Sequence, residues 1–459
     1  MKLSVITWLL FIGSMTSFTF ATASPIQDKI KIEQIINHYV SSRAFEGTVL
    51  IAKSGKPFFQ KAYGFADRKE SWPLDNNSAF QIASLSKPIA ATLVLMLEEQ
   101  GKLTLEDTLA DYFPEFDNAI GKQITIDNLL SHTSGIPNHF VIDGWFNPDF
   151  HRNTSEQEFV KIIAKLPPAF PPGSAYLYSN PGYFLLGKIV ELITEESYAT
   201  TIKKSIFDPL NMKQSGVTTG IETIVPYVQA YQWDGQGAYR TQTTKNMALF
   251  GAGAAIYTTA EDLYRFDTAL YSDKLLSDKN KKRIFDSKHA YAWQIGLVPF
   301  SPELQVSVQI ADGKFDGYSS MMTRFVDEQH SIILLSNIGI SYDLKQQLTF
   351  DIATILYNQV PPNRKNDATL NLIKSLFSAN FSQTLQSLTA DNTQFKLSEE
   401  SLASLAFELL WSSLAEQSLQ LFSFIVSEFP NSSTANQNLQ KACRHHLAKS
   451  AKSFAEQCS

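Results

Sequence analysis

Apolar residues recur at helical spacing over residues 26–43, where Ile26, Ile30, Ile35, Ile36, Tyr39 and Val40 predict an amphipathic opening helix. The period then changes. Gly47 to Ala52 and Phe58 to Gly64, on either side of a Ser54-Gly55-Lys56 turn, predict a β-hairpin. Ile89, Leu93, Leu95, Met96 and Leu97 make the next stretch apolar enough for a buried helix, and Pro88 fits only near its first turn, so this helix is expected to begin at about Ser84. Ser155 with Glu158 forms a capping box for a helix over 156–165. Tyr183, Leu185, Leu186, Ile189, Val190, Leu192 and Ile193 predict another over 182–198, and a further helix is expected over 260–271. Leu304 to Ile310, Ser320 to Val326 and Ser331 to Asn337 predict three strands, followed by a helix over 342–357. Strands therefore stand at both ends of this region, around a helical middle.

Beyond Pro361-Pro362-Asn363-Arg364 the composition shifts to Leu, Ser, Gln and Ala without strand signals, which marks a domain boundary. Leu402, Leu405, Ala406, Leu409, Ser418, Phe422 and Pro430 resemble the positional pattern of one tetratricopeptide repeat, over about 399–432. A single such unit cannot bury its own apolar face, so it is expected to pack on the rest of the chain. The helices of residues 361–459 are also the expected place for any protein partner.

The chain has 459 residues, 44% of them hydrophobic, enough for a large core and two domains. Its net charge of -6 gives no electrostatic reason to expect nucleic acid or an anionic membrane as a partner. Lys2, the apolar run Leu3 to Ile12 and the small-x-small Ala21-Thr22-Ala23 predict a cleaved signal peptide over residues 1–23, hence a periplasmic or secreted protein. No later stretch is long and apolar enough for a stable membrane span. The two cysteines, Cys443 and Cys458, suit either a staple in the tail or two free thiols, and their spacing excludes a zinc site or a redox Cys-x-x-Cys.

Chemistry is concentrated at Ser84-Leu85-Ser86-Lys87. Residues three apart share a helix face, which lets the Lys87 amine stand beside the Ser84 hydroxyl, while a helix N-terminus favours an anion forming there. A free hydroxyl is a poor nucleophile near neutral pH and needs such help. Ser-x-x-Lys alone is a weak signal. Further segments add to it: Leu130-Ser131-His132-Thr133-Ser134-Gly135-Ile136-Pro137, then Pro172-Gly173 with Tyr178-Ser179-Asn180 ahead of a buried helix, then Gly251-Ala252-Gly253 before Thr258-Thr259-Ala260-Glu261-Asp262-Leu263.

Together, and in this order over about residues 26–357, these segments resemble the serine β-lactamase and penicillin-binding-protein superfamily. The branch most similar is that of class C β-lactamases, D-alanyl-D-alanine carboxypeptidases and esterases, where Tyr-x-Asn replaces Ser-Asp-Asn. The resemblance implies an α/β fold of antiparallel sheet flanked by helices plus an all-helical lobe, at residues 24–360, with a small all-α domain at 361–459. It implies Ser84 as nucleophile, Lys87 and Tyr178 sharing general-base duty, and Asn180 holding a substrate amide or Lys87. It also implies an oxyanion hole from the backbone N–H groups of Ser84 and Lys314, next to Gly313, with no metal or cofactor. The substrate would be a small molecule or peptide with an ester, amide or β-lactam carbonyl.

One motif departs from the family. Asp316-Gly317-Tyr318-Ser319-Ser320 aligns Ala311-Asp312-Gly313 with the family's Lys-Thr-Gly or His-x-Gly, so alanine stands where a cation or imidazole is expected. That removes a donor near the nucleophile and a partner for a substrate carboxylate. Two readings follow: a serine hydrolase with altered preference, or a weak or inactive relative kept as a binding module. A Ser-His-Asp hydrolase is disfavoured because no Gly-x-Ser-x-Gly elbow occurs, and His132 reads as a structural turn residue. Gly251-Ala252-Gly253 lacks the third glycine of a dinucleotide site and reads as close backbone packing.

Overall fold

The structure, a computed structural model, describes residues 25–458 apart from 221–226, 234–238, 242–245, 287–289, 340, 379 and 391–394. The expected signal segment, residues 1–23, lies outside the described residues.

The opening helix α1 is Pro25–Ser41, and the hairpin follows as β1 (Gly47–Lys53) and β2 (Lys56–Tyr63). A 3-10 turn, Ala83–Leu85, runs into α2 (Ser86–Glu99), so the α-helix proper starts two residues after Ser84, with Pro88 still in its first turn. The helical middle includes α3 (Asn180–Thr194) and α4 (Ala260–Ala269). Four strands then run as β3 (Gln294–Ser301), β4 (Leu304–Phe315), β5 (Tyr318–Phe325) and β6 (His330–Ser336), followed by α5 (Tyr342–Leu356). Sequence reasoning missed β3. Its interior Gly296 and Pro299 argue against a central strand, and the structure places it at a sheet edge, where a missing N–H is tolerated.

These strands form one antiparallel sheet in the order β3-β4-β5-β6-β1-β2. β1 therefore pairs with β6, Gly47 opposite Ser336, which joins the two ends of the region into one layer. Both faces of the central strands are buried. Leu50, Met322, Ile333 and Leu335 belong to a core shared with α2, α3 and the helical middle. Val49, Ile51, Met321, Ile332 and Leu334 belong to a second core on the opposite face with α1 and α5. This two-sided burial explains why β6 reads as an almost continuous apolar run.

The tail beyond residue 361 is helical, and its helices include α6 (Glu399–Trp411) and α7 (Ala415–Glu428). α6 and α7 form a hairpin in which Ser418 is fully buried and donates to the Ala406 carbonyl at 2.7 Å, a close approach that a small residue permits. Leu370, Leu405, Leu409 and Phe422 join the same core as Leu348 and Ile352 of α5. Arg364 is paired with Asp351 at 2.8 Å, so charge as well as apolar burial ties the tail to α5. Cys443 and Cys458 are disulfide-bonded, with Cα atoms 5.6 Å apart. No helix among the described residues is long and apolar enough to cross a membrane.

Candidate active site

Ser84 sits on the 3-10 turn, and the residue before it, Ala83, is buried with φ of 49°. A non-glycine residue in this left-handed region stores about 1 kcal/mol of strain and persists only where the surroundings hold it. Here they do. Ile82 N–H donates to the Ile256 carbonyl at 3.0 Å, and the Ile82 carbonyl accepts from Ser320 Oγ at 2.7 Å. The turn is thus clamped between the helical middle and the sheet.

Three side chains from separate parts of the sequence converge on this turn. Lys87 Nζ lies 3.0 Å from Ser84 Oγ, as expected for i and i+3 positions on one helical face. Tyr178 donates its phenolic O–H to Ser84 Oγ at 2.6 Å. Asn180, the first residue of α3, offers Oδ1 to Lys87 Nζ at 2.7 Å. Its amide nitrogen faces Asn138 Oδ1 at 3.3 Å. Ser179 caps α3 by accepting from Gly182 N–H at 3.1 Å, so Tyr178 and Asn180 flank a fixed helix start.

A partner of Lys87 that sequence reasoning missed is the carbonyl of Gly253, 2.7 Å from Nζ. The close packing expected of Gly251-Ala252-Gly253 is present, with Ala252 against Gly187 of α3. The carbonyl that this packing presents to Lys87 has no side-chain signature to find it by. Lys87 is buried, and burial lowers its pKa well below the usual lysine value, opposed in part by the charge of Asp312. Burial has the opposite effect on Tyr178, whose phenol is raised well above its usual value although the hydrogen bond to Ser84 acts against this. Burial thus favours the uncharged form of both groups.

His132 is a turn residue with φ of 57°, packed between the rings of Tyr178 (4.6 Å) and Tyr183 (5.0 Å). Its Nδ1 accepts from Ser179 N–H at 3.2 Å, which sets the tautomer with the proton on Nε2. Burial, with the nearby Lys87 charge, brings its pKa down to about 3, so the ring is a neutral orienting block rather than an acid or base.

Gly313 on β4 faces the turn. A Cβ there would lie 2.1 Å from the Ile82 carbonyl oxygen and 2.8 Å from Ser84 N, so only glycine lets the strand approach. Lys314 follows it, opposite Ser319 of β5. β3 pairs with β4 only as far as Ile310, so the edge of β4 from Ala311 to Lys314 lines an open cleft of about 510 Å³ with Ser84, Lys87, His132 and Tyr178. Trp293 and Gln294 line the far wall, and the exposed Tyr176 stands at the mouth. On the other face of β4, Lys345 of α5 is buried, 3.2 Å from Asp312 Oδ2 and 3.0 Å from each of the Gly313 and Ser320 carbonyls.

The chain is similar to known proteins in sequence and in fold. The Beta-lactamase family model matches residues 32–353. Penicillin-binding protein 4* of Bacillus subtilis is 33% identical over 339 residues, covering 69% of this chain and 73% of its own. The crystal structure of a penicillin-binding protein from Bacillus halodurans superposes with a TM-score of 0.60 at 24% identity, covering 69% of this chain and 97% of that one. A class C β-lactamase superposes with a TM-score of 0.61 at 21% identity, over 75% and 99%. The antiparallel sheet with its helical lobe is the fold those structures share, and with a family match over residues 32–353 the chain belongs to the beta-lactamase family.

Proposed function

We propose that this chain is an exported serine hydrolase that works through an acyl-enzyme on Ser84. The observation that carries the reading is that Lys87 Nζ and Tyr178 Oη both lie within hydrogen-bonding distance of one oxygen, Ser84 Oγ. A neutral Lys87 amine has two N–H donors, and two carbonyl acceptors, Asn180 Oδ1 and Gly253 O, stand 2.7 Å away. Its lone pair is then free to accept the Ser84 proton. Ser84 Oγ attacks the substrate carbonyl carbon as that proton passes to Lys87. The carbonyl oxygen, now an anion, is stabilised by the backbone N–H groups of Ser84 and Lys314 on either side of the Gly313 contact. Tyr178, with its proton retained, relays a proton to the leaving group and is reprotonated by way of Lys87. Water repeats the sequence on the ester and restores Ser84.

Alanine at position 311 and the open edge of β4 favour a neutral ester or amide over a substrate that must anchor a carboxylate. Export rests on the pattern of residues 1–23 and on the disulfide, which persists in oxidising compartments. Edman sequencing of the protein from the culture medium or periplasm, starting at Ser24, would support it.

The decisive experiment is intact-mass detection of an adduct with a fluorophosphonate, a small-ester panel and a penicillin. An adduct mapped to Ser84 and lost in Ser84→Ala is the expected result. A second reading, a binding module without turnover, is favoured by the same Ala311 and by the helical tail. It predicts no adduct with any probe.

A further inference from the structure

The cleft is lined by two cations among the described residues, Lys87 and Lys314. Lys87 is committed to Ser84, Asn180 and Gly253. With alanine at 311, Lys314 is the one cation left on the β4 edge to meet a substrate carboxylate. It is not free to do so. Its Nζ forms an ion pair with Glu408 of α6, without a well-directed hydrogen bond, and lies 5.7 Å from the centre of the Trp411 ring, three residues along the same helix. The Glu408 side chain is 4% exposed and Lys314 Nζ is itself buried against it, so the exposed part of Lys314, 27% of its side chain, is the hydrocarbon stem, and the ion pair holds the ammonium back from the cleft that this stem borders.

We propose that Glu408, on a tail helix beyond the family match at 32–353, is a specificity-determining residue that turns the cleft away from anionic substrates by neutralising Lys314. This deepens the hydrolase reading and rests on its assignment of the cleft as the substrate site. Four charges stand around this stretch of β4. Asp312 is matched by Lys345 at 3.2 Å and Lys314 by Glu408, two negative and two positive, so their sum is zero. A carboxylate arriving there finds no uncompensated cation. A buried ion pair is a weak source of stability, because desolvation offsets much of the attraction. What it does determine is where charge stands.

The test uses two ligands that differ only in charge, N-acetyl-D-alanyl-D-alanine and its C-terminal amide, bound to the full mature chain carrying Ser84→Ala so that no acylation intervenes. Calorimetry at about pH 5.5 keeps Lys314 protonated, because burial brings its pKa down to about 7. Adding Glu408→Gln should raise the carboxylate-to-amide affinity ratio by about tenfold or more, the scale of a hydrogen bond to a charged group. Adding Lys314→Gln to Glu408→Gln should return the ratio to its starting value. If Glu408→Gln lowers the melting temperature and leaves the ratio unchanged, Glu408 only anchors the tail and the proposal fails. Where that variant does not fold, Lys314→Gln alone decides: the ratio should fall below its starting value, and an unchanged ratio overturns the proposal. Binding is read without chemistry, so absence of an acyl adduct on Ser84 would sink the hydrolase reading while leaving this result to stand by itself.

Discussion

Lys87 Nζ stands 2.7 Å from the main-chain carbonyl of Gly253, 166 residues further along the chain. In the proposed reaction that oxygen and Asn180 Oδ1 take up the N–H donors of a neutral amine and leave its lone pair for Ser84. Burial shifts Lys87 towards the neutral amine, opposed in part by the charge of Asp312, and its two acceptors carry no charge of their own.

Asn180→Asp places a carboxylate beside Lys87 and favours the ammonium form. Acylation of Ser84 near pH 7 should fall by about ten- to a hundredfold, and the acid limb of its pH profile should move to higher pH. Second-order rate constants for a neutral ester probe, measured across pH, would check this. An unchanged acid limb would mean that Lys87 is not the base.

Tyr178→Phe keeps the ring between His132 and Lys87 and removes only the O–H that meets Ser84 Oγ. Acylation should slow by about a hundredfold or more, the usual range for loss of a general acid or base, while the melting temperature changes little. Equal losses in rate and stability would point to a packing role for the hydroxyl.

Gly313→Ala forces a methyl to within 2.1 Å of a backbone oxygen that cannot move without unseating Ser84. Overpacking of this kind should cost about 1–3 kcal/mol, read from urea unfolding, together with loss of probe labelling. Full labelling in the variant would show that the strand does not need this close approach.

His132 has its pKa brought down to about 3 in the folded protein, against an ordinary value near 6.5. Between those values the unfolded chain binds a proton that the folded one refuses, so stability should fall as pH drops from 6.5 towards 3, by roughly 4 kcal/mol in all. Denaturant midpoints at several pH values would show the decline. In His132→Asn, which keeps an acceptor for Ser179 N–H, the decline should be shallower.

Much of this was legible in the linear chain because it depends on local geometry. The apolar periods of residues 26–43 and 342–357 became α1 and α5 within two residues at each end, and the hairpin at 47–64 became β1 and β2. Ser84 and Lys87 meet because three residues of helix bring them together. Gly313 was marked by the spacing to Asp316-Gly317. Tyr178 and Asn180 were marked by a family pattern, and the structure adds the cap at Ser179 that fixes them.

Other features depended on packing between distant segments and left no local trace. β3 is a strand only because a sheet edge accepts Pro299. The sequence was compatible with both paired and free forms of Cys443 and Cys458, and the fold of the tail brings them together. The cationic position emptied at Ala311 was visible at once, yet the charge around it was decided by Lys345 and Glu408, 34 and 97 residues away in the sequence. Residue identity and spacing determine which groups exist and which neighbours share a turn. Burial, and with it the charge a lysine carries and the partner it faces, depends on how the whole chain excludes water, and only the tertiary structure decides that.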